Sequence, residues 1–200
     1  MNDCVSVFLT GVGGQGILLA SEIISTAAML SGYDVKTNEV HGMAQRGGTV
    51  IAQVRYGQKV YSPLVMERSA RVLCAFEGVE AIRAAHYLAP DGLAVVNQYR
   101  IIPVTVSSGV AVYPDNIGDV LRAQFPRLCY FDATAKAIEV GTAKAANVVL
   151  LGAVSKGLEM PEETWLEAIR KTVKPKFSDI NLKAFAAGRA AVQERLLIFT

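Results

Sequence analysis

The chain has 200 residues, of which 52% are hydrophobic and 19% are charged, and its formal net charge is +2. This length suits one domain with a full core, and the scattered Lys and Arg residues form no basic stripe that would predict nucleic-acid binding. The charged fraction lies below the roughly 25% typical of soluble domains. We therefore expect either a sheet covered by helices on both faces or some surface that a partner hides.

A glycine-rich turn joins the first predicted strand to the first predicted helix. The apolar run 5–9 leads into Gly11-Val12-Gly13-Gly14-Gln15-Gly16, and an apolar helix follows that ends at Gly32. Such a turn lets a ligand approach the backbone, and the helix start directs N–H groups and a positive dipole end at it, which favours an anion. A close-packed strand–helix corner would explain the same glycines without a ligand, so both interpretations stay open.

A second glycine-containing turn follows the second predicted strand, residues 34–40, which would complete a right-handed β-α-β unit. Its sequence is His41-Gly42-Met43-Ala44-Gln45-Arg46-Gly47-Gly48. Arg46 could bind a phosphate or carboxylate, or pair with an acid across a subunit interface. His41 could transfer protons or hold a structural hydrogen bond. We expect the two turns to leave adjacent parallel strands at their carboxyl ends and to face one crevice.

The rest of the sequence predicts a mixed sheet with helices on both faces. The further predicted elements are a strand 49–55, a hairpin turn 56–59 into a strand 60–61, a strand 71–76, a helix 79–88, a strand 93–97, strand pieces within 100–114, a helix 119–124, a strand 127–131, an apolar helix 140–157 in which Gly152 permits close contact, and helices 161–173 and 180–195. We expect a three-layer, Rossmann-like α/β fold that is mainly parallel with an antiparallel hairpin. The chain forms one domain, 1–200, with a helical appendage from 160 to 200.

The cysteines and the first residues of the chain indicate the cellular compartment in which the protein is expected. Cys4, Cys74 and Cys129 are isolated, so we expect three buried thiols and no zinc or iron–sulfur site built by this chain. The N-terminus lacks a signal-sequence pattern, and no apolar run is long enough to span a membrane. These features predict a cytoplasmic protein without a transmembrane helix.

The paired turns resemble the gamma-type domain of the 2-oxoacid:ferredoxin oxidoreductases. The run from Glu39 to Gly48 is most similar to the beta subunits of indolepyruvate:ferredoxin oxidoreductases, and the resemblance continues through Ser62-Pro63, 147–152 and 181–185. It implies oxidative decarboxylation of an aryl-pyruvate to its acyl-coenzyme A, with electrons passed to ferredoxin. Related subunits serve pyruvate, 2-oxoglutarate or branched-chain 2-oxoacids. Because the chain has neither a cluster-type cysteine pattern nor a thiamine diphosphate signature, the resemblance places both cofactors in a larger partner subunit.

The same resemblance implies that the two turns line the approach of the coenzyme A phosphates. The candidate binding residues are Gly11, Gly13, Gly14, Gln15, Gly16, Gln45, Arg46, Gly47 and Gly48. No catalytic or metal-binding residue is assigned, since the acids Glu67, Glu77 and Glu80 show no pairing that suggests acid–base work.

Two other functions stay open. A nicotinamide-dependent enzyme would use the first turn, with Glu39 on the ribose, but would leave the turn around Arg46 unexplained. The second open function is that of an interaction subunit whose glycine loop binds no ligand. The apolar C-terminal residues 196–199 and some of the region 100–114 are expected to pack against another chain.

Overall fold

The computed structural model describes residues 4–42, 48–102, 104–110 and 112–196. Its helices and strands are β1 (Val5–Val12), α1 (Ile17–Leu30), β2 (Asp34–His41), β3 (Thr49–Gly57), β4 (Ala70–Ala75), α2 (Gly78–Ala84), β5 (Leu88–Asn97), α3 (Val104–Ser107), α4 (Ile117–Gln124), β6 (Leu128–Phe131), α5 (Ala133–Glu139), α6 (Ala146–Val154), α7 (Glu162–Thr172) and α8 (Ser178–Leu196). Short 3-10 turns extend α2 and flank α6. Within these residues no helix is both long and apolar enough to cross a membrane.

The strands form one mixed sheet in the order β2-β3-β1-β4-β5-β6. β1, β4, β5 and β6 run parallel, whereas β3 runs antiparallel to both β1 and β2. The expected open α/β fold, mainly parallel with an antiparallel pair, is confirmed. The antiparallel hairpin, however, is formed by β2 and β3.

The expectation that β1 and β2 are neighbours is wrong, because β3 lies between them. The composition of the strands explains this order. β2 is rich in polar residues and largely exposed, which suits an edge strand. β3 carries buried Ala52 and Val54 and therefore takes the inner position, with Gly11 opposite Val50 and Val12 opposite Thr49.

Several predicted boundaries also differ from the structure. Residues 60–61 form no strand, because Arg55 Nη1 donates to the Ser62 carbonyl at 2.9 Å and Val60 N donates to Asp34 Oδ2 at 2.9 Å, which hold this segment away from the ladder. The described part of 100–114 holds the short helix α3 and no strand. Helix α5 was not predicted, and the α-helical part of 140–157 is only α6.

Two buried clusters cover the two faces of the sheet. On one face, α1, α6, α7 and α8 pack with Val7 and Leu9 of β1, and Trp165 and Phe185 are fully buried there. On the other face, α2 and α4 pack with Phe8. Thus α7 and α8 share the main core with α1 and α6.

Helix α6 lies close against α8, as its glycine predicted. A Cβ at Gly152 would overlap the Phe185 carbonyl oxygen, and one at Gly188 would overlap that of Val149. Cys74 and Cys129 are buried, but Cys4 is only partly buried, so the expectation of three buried thiols is wrong for Cys4. Residues 197–200, which include most of the apolar tail, lie outside the described residues.

Candidate functional site

The first glycine turn crosses the carboxyl edge of the sheet from β1 to α1, and its glycines are required for different reasons. A Cβ at Gly11 would lie 2.7 Å from Gln15 Oε1 and 2.8 Å from Phe76 Cβ. Gly16 has φ of 80°, and a Cβ there would lie 2.6 Å from Asn147 Nδ2. Gly14, with φ of 97°, has open space on its Cβ side. Gly11 and Gly16 therefore serve a packed corner, whereas Gly14 is the glycine that faces free space.

Gln15 links the first turn to Phe76, the residue that follows β4. Its Oε1 accepts a hydrogen bond from Val12 N at 2.7 Å, and its Nε2 donates to the Phe76 carbonyl at 2.9 Å. Both ends of the amide thus bind the protein's own backbone. Gln15 supports the loop's shape in this structure, so any ligand contact would have to replace one of these bonds.

The two turns meet, although their strands are not neighbours. Gly13 N donates to the Gly48 carbonyl at 2.9 Å. This contact exists because β3 runs antiparallel to β1, so that β3 begins where β1 ends. Gln45, Arg46 and Gly47 lie outside the described residues.

Two clefts open beside the first turn, and Gly14 lines both. The first, the His41 cleft, has a volume of about 460 Å³ and is mostly apolar, with walls formed by Gly13, Gly14, Gly16, Ile17, Leu18, His41 and Val50. The second, the Lys144 cleft, has a volume of about 190 Å³ and a more polar lining, which includes Gln15, Phe76, Asn97, Tyr99, Thr134, Lys144, Asn147 and Leu150.

The Lys144 cleft lies at a topological switch point of the sheet, where the helices that follow two neighbouring strands lie on opposite faces. β1 is followed by α1 on one face, and its neighbour β4 is followed by α2 on the other. In open α/β sheets, ligands bind in the crevice at such a point, outside the carboxyl ends of the strands. The cleft is therefore where this fold would place a ligand.

Glu39 does not occupy the position of a ribose-binding acid. It lies on the edge strand β2, two strands away from β1, and its Oε1 accepts a hydrogen bond from Ser21 Oγ at 3.4 Å. In a dinucleotide-binding unit the acid would stand on the strand next to the glycine turn. The inserted strand β3 removes the geometric basis for the nicotinamide alternative.

Glu77 and Glu80, two acids whose sequence pattern indicated no acid–base role, are buried beneath the turns. Glu77 caps α2 by accepting from Val79 N at 2.8 Å and Glu80 N at 3.1 Å, and it also accepts from the Tyr113 hydroxyl. Burial, together with the Glu77 carboxylate, raises the pKa of Tyr113, so its hydroxyl stays protonated and donates. The spacing of Glu77 and Glu80, an N-cap acid and an acid three residues later, was the available signal.

Glu80 connects the ends of two strands. Its carboxylate accepts hydrogen bonds from Thr10 Oγ1 at 3.5 Å and Thr49 Oγ1 at 3.2 Å, and pairs with Arg83 at 2.7 Å. Thr10 belongs to β1 and Thr49 begins β3, so Glu80 fixes the end of β1 directly before the first glycine turn and the start of β3 directly after the second.

Comparison with known proteins agrees with this architecture. A family model described as pyruvate ferredoxin/flavodoxin oxidoreductase matches residues 6–191. The chain belongs to this oxidoreductase family. The family relationship expected from the paired glycine turns is thereby confirmed.

Relatives within the family match almost end to end. An indolepyruvate oxidoreductase subunit, IorB, from Thermococcus kodakarensis is 44% identical over 96% of this chain and 97% of its own. Its counterpart from Archaeoglobus fulgidus is 44% identical over 92% of this chain and 93% of its own. The gamma subunit of a keto/oxoacid ferredoxin oxidoreductase from Geobacter sulfurreducens shares the fold, with a TM-score of 0.70 at 22% identity, over 95% of this chain and 99% of its own.

Proposed function

We propose that the chain is the small subunit of an indolepyruvate:ferredoxin oxidoreductase. The enzyme would oxidatively decarboxylate an aryl-pyruvate, transfer the acyl group to coenzyme A and pass two electrons to ferredoxin. The observation that carries this proposal is the 44% identity to an indolepyruvate oxidoreductase subunit over 96% of the chain. Since the two chains match along almost their whole lengths, they are expected to have the same role in their complexes.

We place the redox cofactors in a larger partner subunit. Thiamine diphosphate would stabilise the carbanion there, and iron–sulfur clusters would carry the electrons. The cysteines of this chain do not fit a cluster: Cys74 and Cys129 lie in the core, and burial raises the pKa of Cys74, which disfavours the thiolate that a metal requires. The described residues contain no group of three or more His, Cys, Asp or Glu side chains that could hold a metal ion.

The glycine turns are proposed to line the approach of coenzyme A. Gly14 supports this role, because its Cβ side is open and it borders both clefts. The apolar wall formed by Ile17 and Leu18 would suit the uncharged part of the coenzyme. Gly11, Gln15 and Gly16 would act by shaping the turn, and the contribution of Gln45, Arg46 and Gly47 rests on the sequence alone.

The test is to co-express the chain with the proposed large subunit and to assay the purified complex without oxygen. Indolepyruvate, phenylpyruvate, pyruvate, 2-oxoglutarate and a branched-chain 2-oxoacid are compared, with coenzyme A and ferredoxin present. We expect kcat/KM to be highest for the two aryl-pyruvates, by about 100-fold over pyruvate, as for a pocket matched to a larger apolar group. Equal or better use of pyruvate would overturn the substrate assignment. A complex that is equally active without this chain would overturn its role as a subunit.

A further inference from the structure

The segment 60–66 lies over β3 on the face of the sheet that carries α2 and α4. Its buried residue Val65 belongs to the same cluster as Phe8. The two helices pack on β1, β4, β5 and β6, whereas the segment binds Gln53 and Arg55 of β3. Over β3, an irregular segment thus takes the place that a helix would occupy.

Hydrogen bonds to β3 hold the backbone of this segment in one conformation. Arg55 Nη1 donates to the Ser62 carbonyl at 2.9 Å and to the Leu64 carbonyl at 3.4 Å. Val65 N donates to Gln53 Oε1 at 2.6 Å, and Gln53 is buried. The segment is therefore fixed by polar contacts to its own sheet.

Three large apolar side chains nevertheless project from the segment into solvent. Tyr61 is 81% exposed, Leu64 54% and Met66 72%. Single exposed apolar residues are normal, but three on one fixed segment indicate a surface that a partner buries. Because the backbone is already held in place, a partner could cover these side chains without the cost of ordering a loop.

Beside this segment, β2 leaves one edge of the sheet open. Val60 N donates to Asp34 Oδ2 at 2.9 Å, so the segment begins against the first residue of β2. β2 pairs with β3 over all eight of its residues in an unbroken register, and among the described strands it has no second neighbour. A long, regular edge presents unpaired N–H and C=O groups with which another chain can pair. The opposite edge strand, β6, has only four residues.

One relative in the family indicates what covers this surface. The ketoisovalerate oxidoreductase subunit VorA from Methanothermobacter marburgensis is 30% identical over 92% of this chain, but the match covers only 36% of VorA. In that relative, the counterpart of this chain is thus continuous with a longer polypeptide. A separate chain of 200 residues needs a non-covalent surface to hold an equivalent partner.

A second copy of this chain fits the open edge less well. Two copies related by a two-fold axis would pair β2 with itself, centred on Thr37 or on Asn38. Lys36 would then face Asn38 or Val40, and no opposite charges would lie directly across from each other. The edge therefore lacks the self-complementarity that a symmetric pair requires.

We propose that the outer edge of β2 and the exposed side chains of Tyr61, Leu64 and Met66 form the docking surface for the larger partner subunit. The partner adds a strand to β2 and places an apolar surface over the three side chains. The inference rests on the proposed function for the identity of the partner. It does not depend on ligand binding in either cleft.

The first test measures the affinity of the purified full chain for the proposed large subunit. Leu64→Asp and Met66→Asp each place a charge in the docking surface, and we expect each to weaken binding by about 10-fold or more. Met29→Asp is the matched control, because Met29 is 56% exposed near the end of α1, on the other face of the sheet. Its effect should stay below about 3-fold. Thermal unfolding of the isolated variants checks that all three are folded.

The outcomes separate the docking surface from the proposed function. If the wild type binds and Leu64→Asp and Met66→Asp bind as well as Met29→Asp does, the docking surface is wrong and the proposed function stands. If the wild-type chain does not bind the large subunit, the proposed function and the docking surface both fail.

A second measurement tests the edge of β2. In hydrogen–deuterium exchange, we expect amides within 34–41 and 60–66 to exchange about 10-fold or more slowly in the complex than in the free chain. Unchanged exchange within 34–41 would overturn the proposed pairing. Gel filtration of the isolated chain is run alongside. A dimer that Leu64→Asp and Met66→Asp dissociate would assign the surface to a second copy and overturn the proposal.

Discussion

Glu80 accepts a hydrogen bond from the Thr49 hydroxyl at 3.2 Å and thereby joins α2 to the first residue of β3. The same carboxylate binds Thr10 at the end of β1. Since Gly48 directly precedes Thr49 and accepts from Gly13, one buried acid controls the positions of both glycine turns. The shape of the candidate site thus depends on a residue that touches neither cleft lining.

Replacement of Glu80 should destabilise the chain. Glu80→Ala leaves the hydroxyls of Thr10 and Thr49 without their charged acceptor, so we expect the free energy of unfolding to fall by about 2–4 kcal/mol in urea denaturation. Arg83→Ala is the control: Arg83 is 61% exposed at its side chain and its ion pair should contribute at most about 1 kcal/mol. Equal losses in the two variants would show that the ion pair, and not the strand contacts, is what Glu80 provides.

Removal of the Tyr113 hydroxyl should have a pH-dependent cost. Tyr113→Phe leaves the buried Glu77 carboxylate with one donor fewer, and we expect a loss of about 1–3 kcal/mol at neutral pH. Because the folded state raises the pKa of Tyr113, its contribution is fully present below the unfolded pKa of about 10 and is lost as the pH rises towards the folded value. The stability difference between wild type and Tyr113→Phe should therefore shrink above about pH 10. A difference that stays constant in alkaline urea titrations would contradict this reasoning.

The glycines of the first turn should respond differently to alanine. Gly14→Ala strains only the backbone, and we expect a loss of about 1–3 kcal/mol in the free energy of unfolding. Gly16→Ala should cost more, because its Cβ also meets Asn147. Gly32→Ala is the matched control, since Gly32 has φ of 83° and open space around it, as Gly14 does. If all three variants lose the same stability, the contact with Asn147 is not important for the corner.

Arg46 is tested in the assembled enzyme. If its guanidinium binds a coenzyme A phosphate, Arg46→Ala should raise the KM for coenzyme A by about 10- to 150-fold, and Arg46→Lys should restore only part of the affinity. Arg71→Ala serves as a control, because Arg71 is an exposed arginine at the start of β4, at the opposite edge of the sheet. If instead Arg46 pairs across a subunit interface, gel filtration will show dissociation while the intact fraction keeps a normal KM.

Local sequence patterns were sufficient for much of this protein. The apolar runs predicted β1, β4 and β6, the glycine turn predicted the start of α1, and the paired turns indicated the family. Gly32, which predicted the end of α1, has φ of 83° and its N donates to the Met29 carbonyl. These features depend on residues that are close in the sequence, whose periodicity and backbone requirements can be recognised without the fold.

Only the tertiary structure decided which strands are neighbours and which side chains share a cleft. The polar β2 suits the edge and the buried β3 suits the inner position, but which strand lies beside β1 also depends on pairing energies along the whole sheet, which local patterns do not contain. That choice brought Gly13 to Gly48, removed Glu39 from the first turn and placed Glu80 beneath both turns. Asn97 and Lys144 likewise line one cleft, because parallel strands and the helices that follow them have their ends at one edge of the sheet. No local pattern in the sequence contains this relationship.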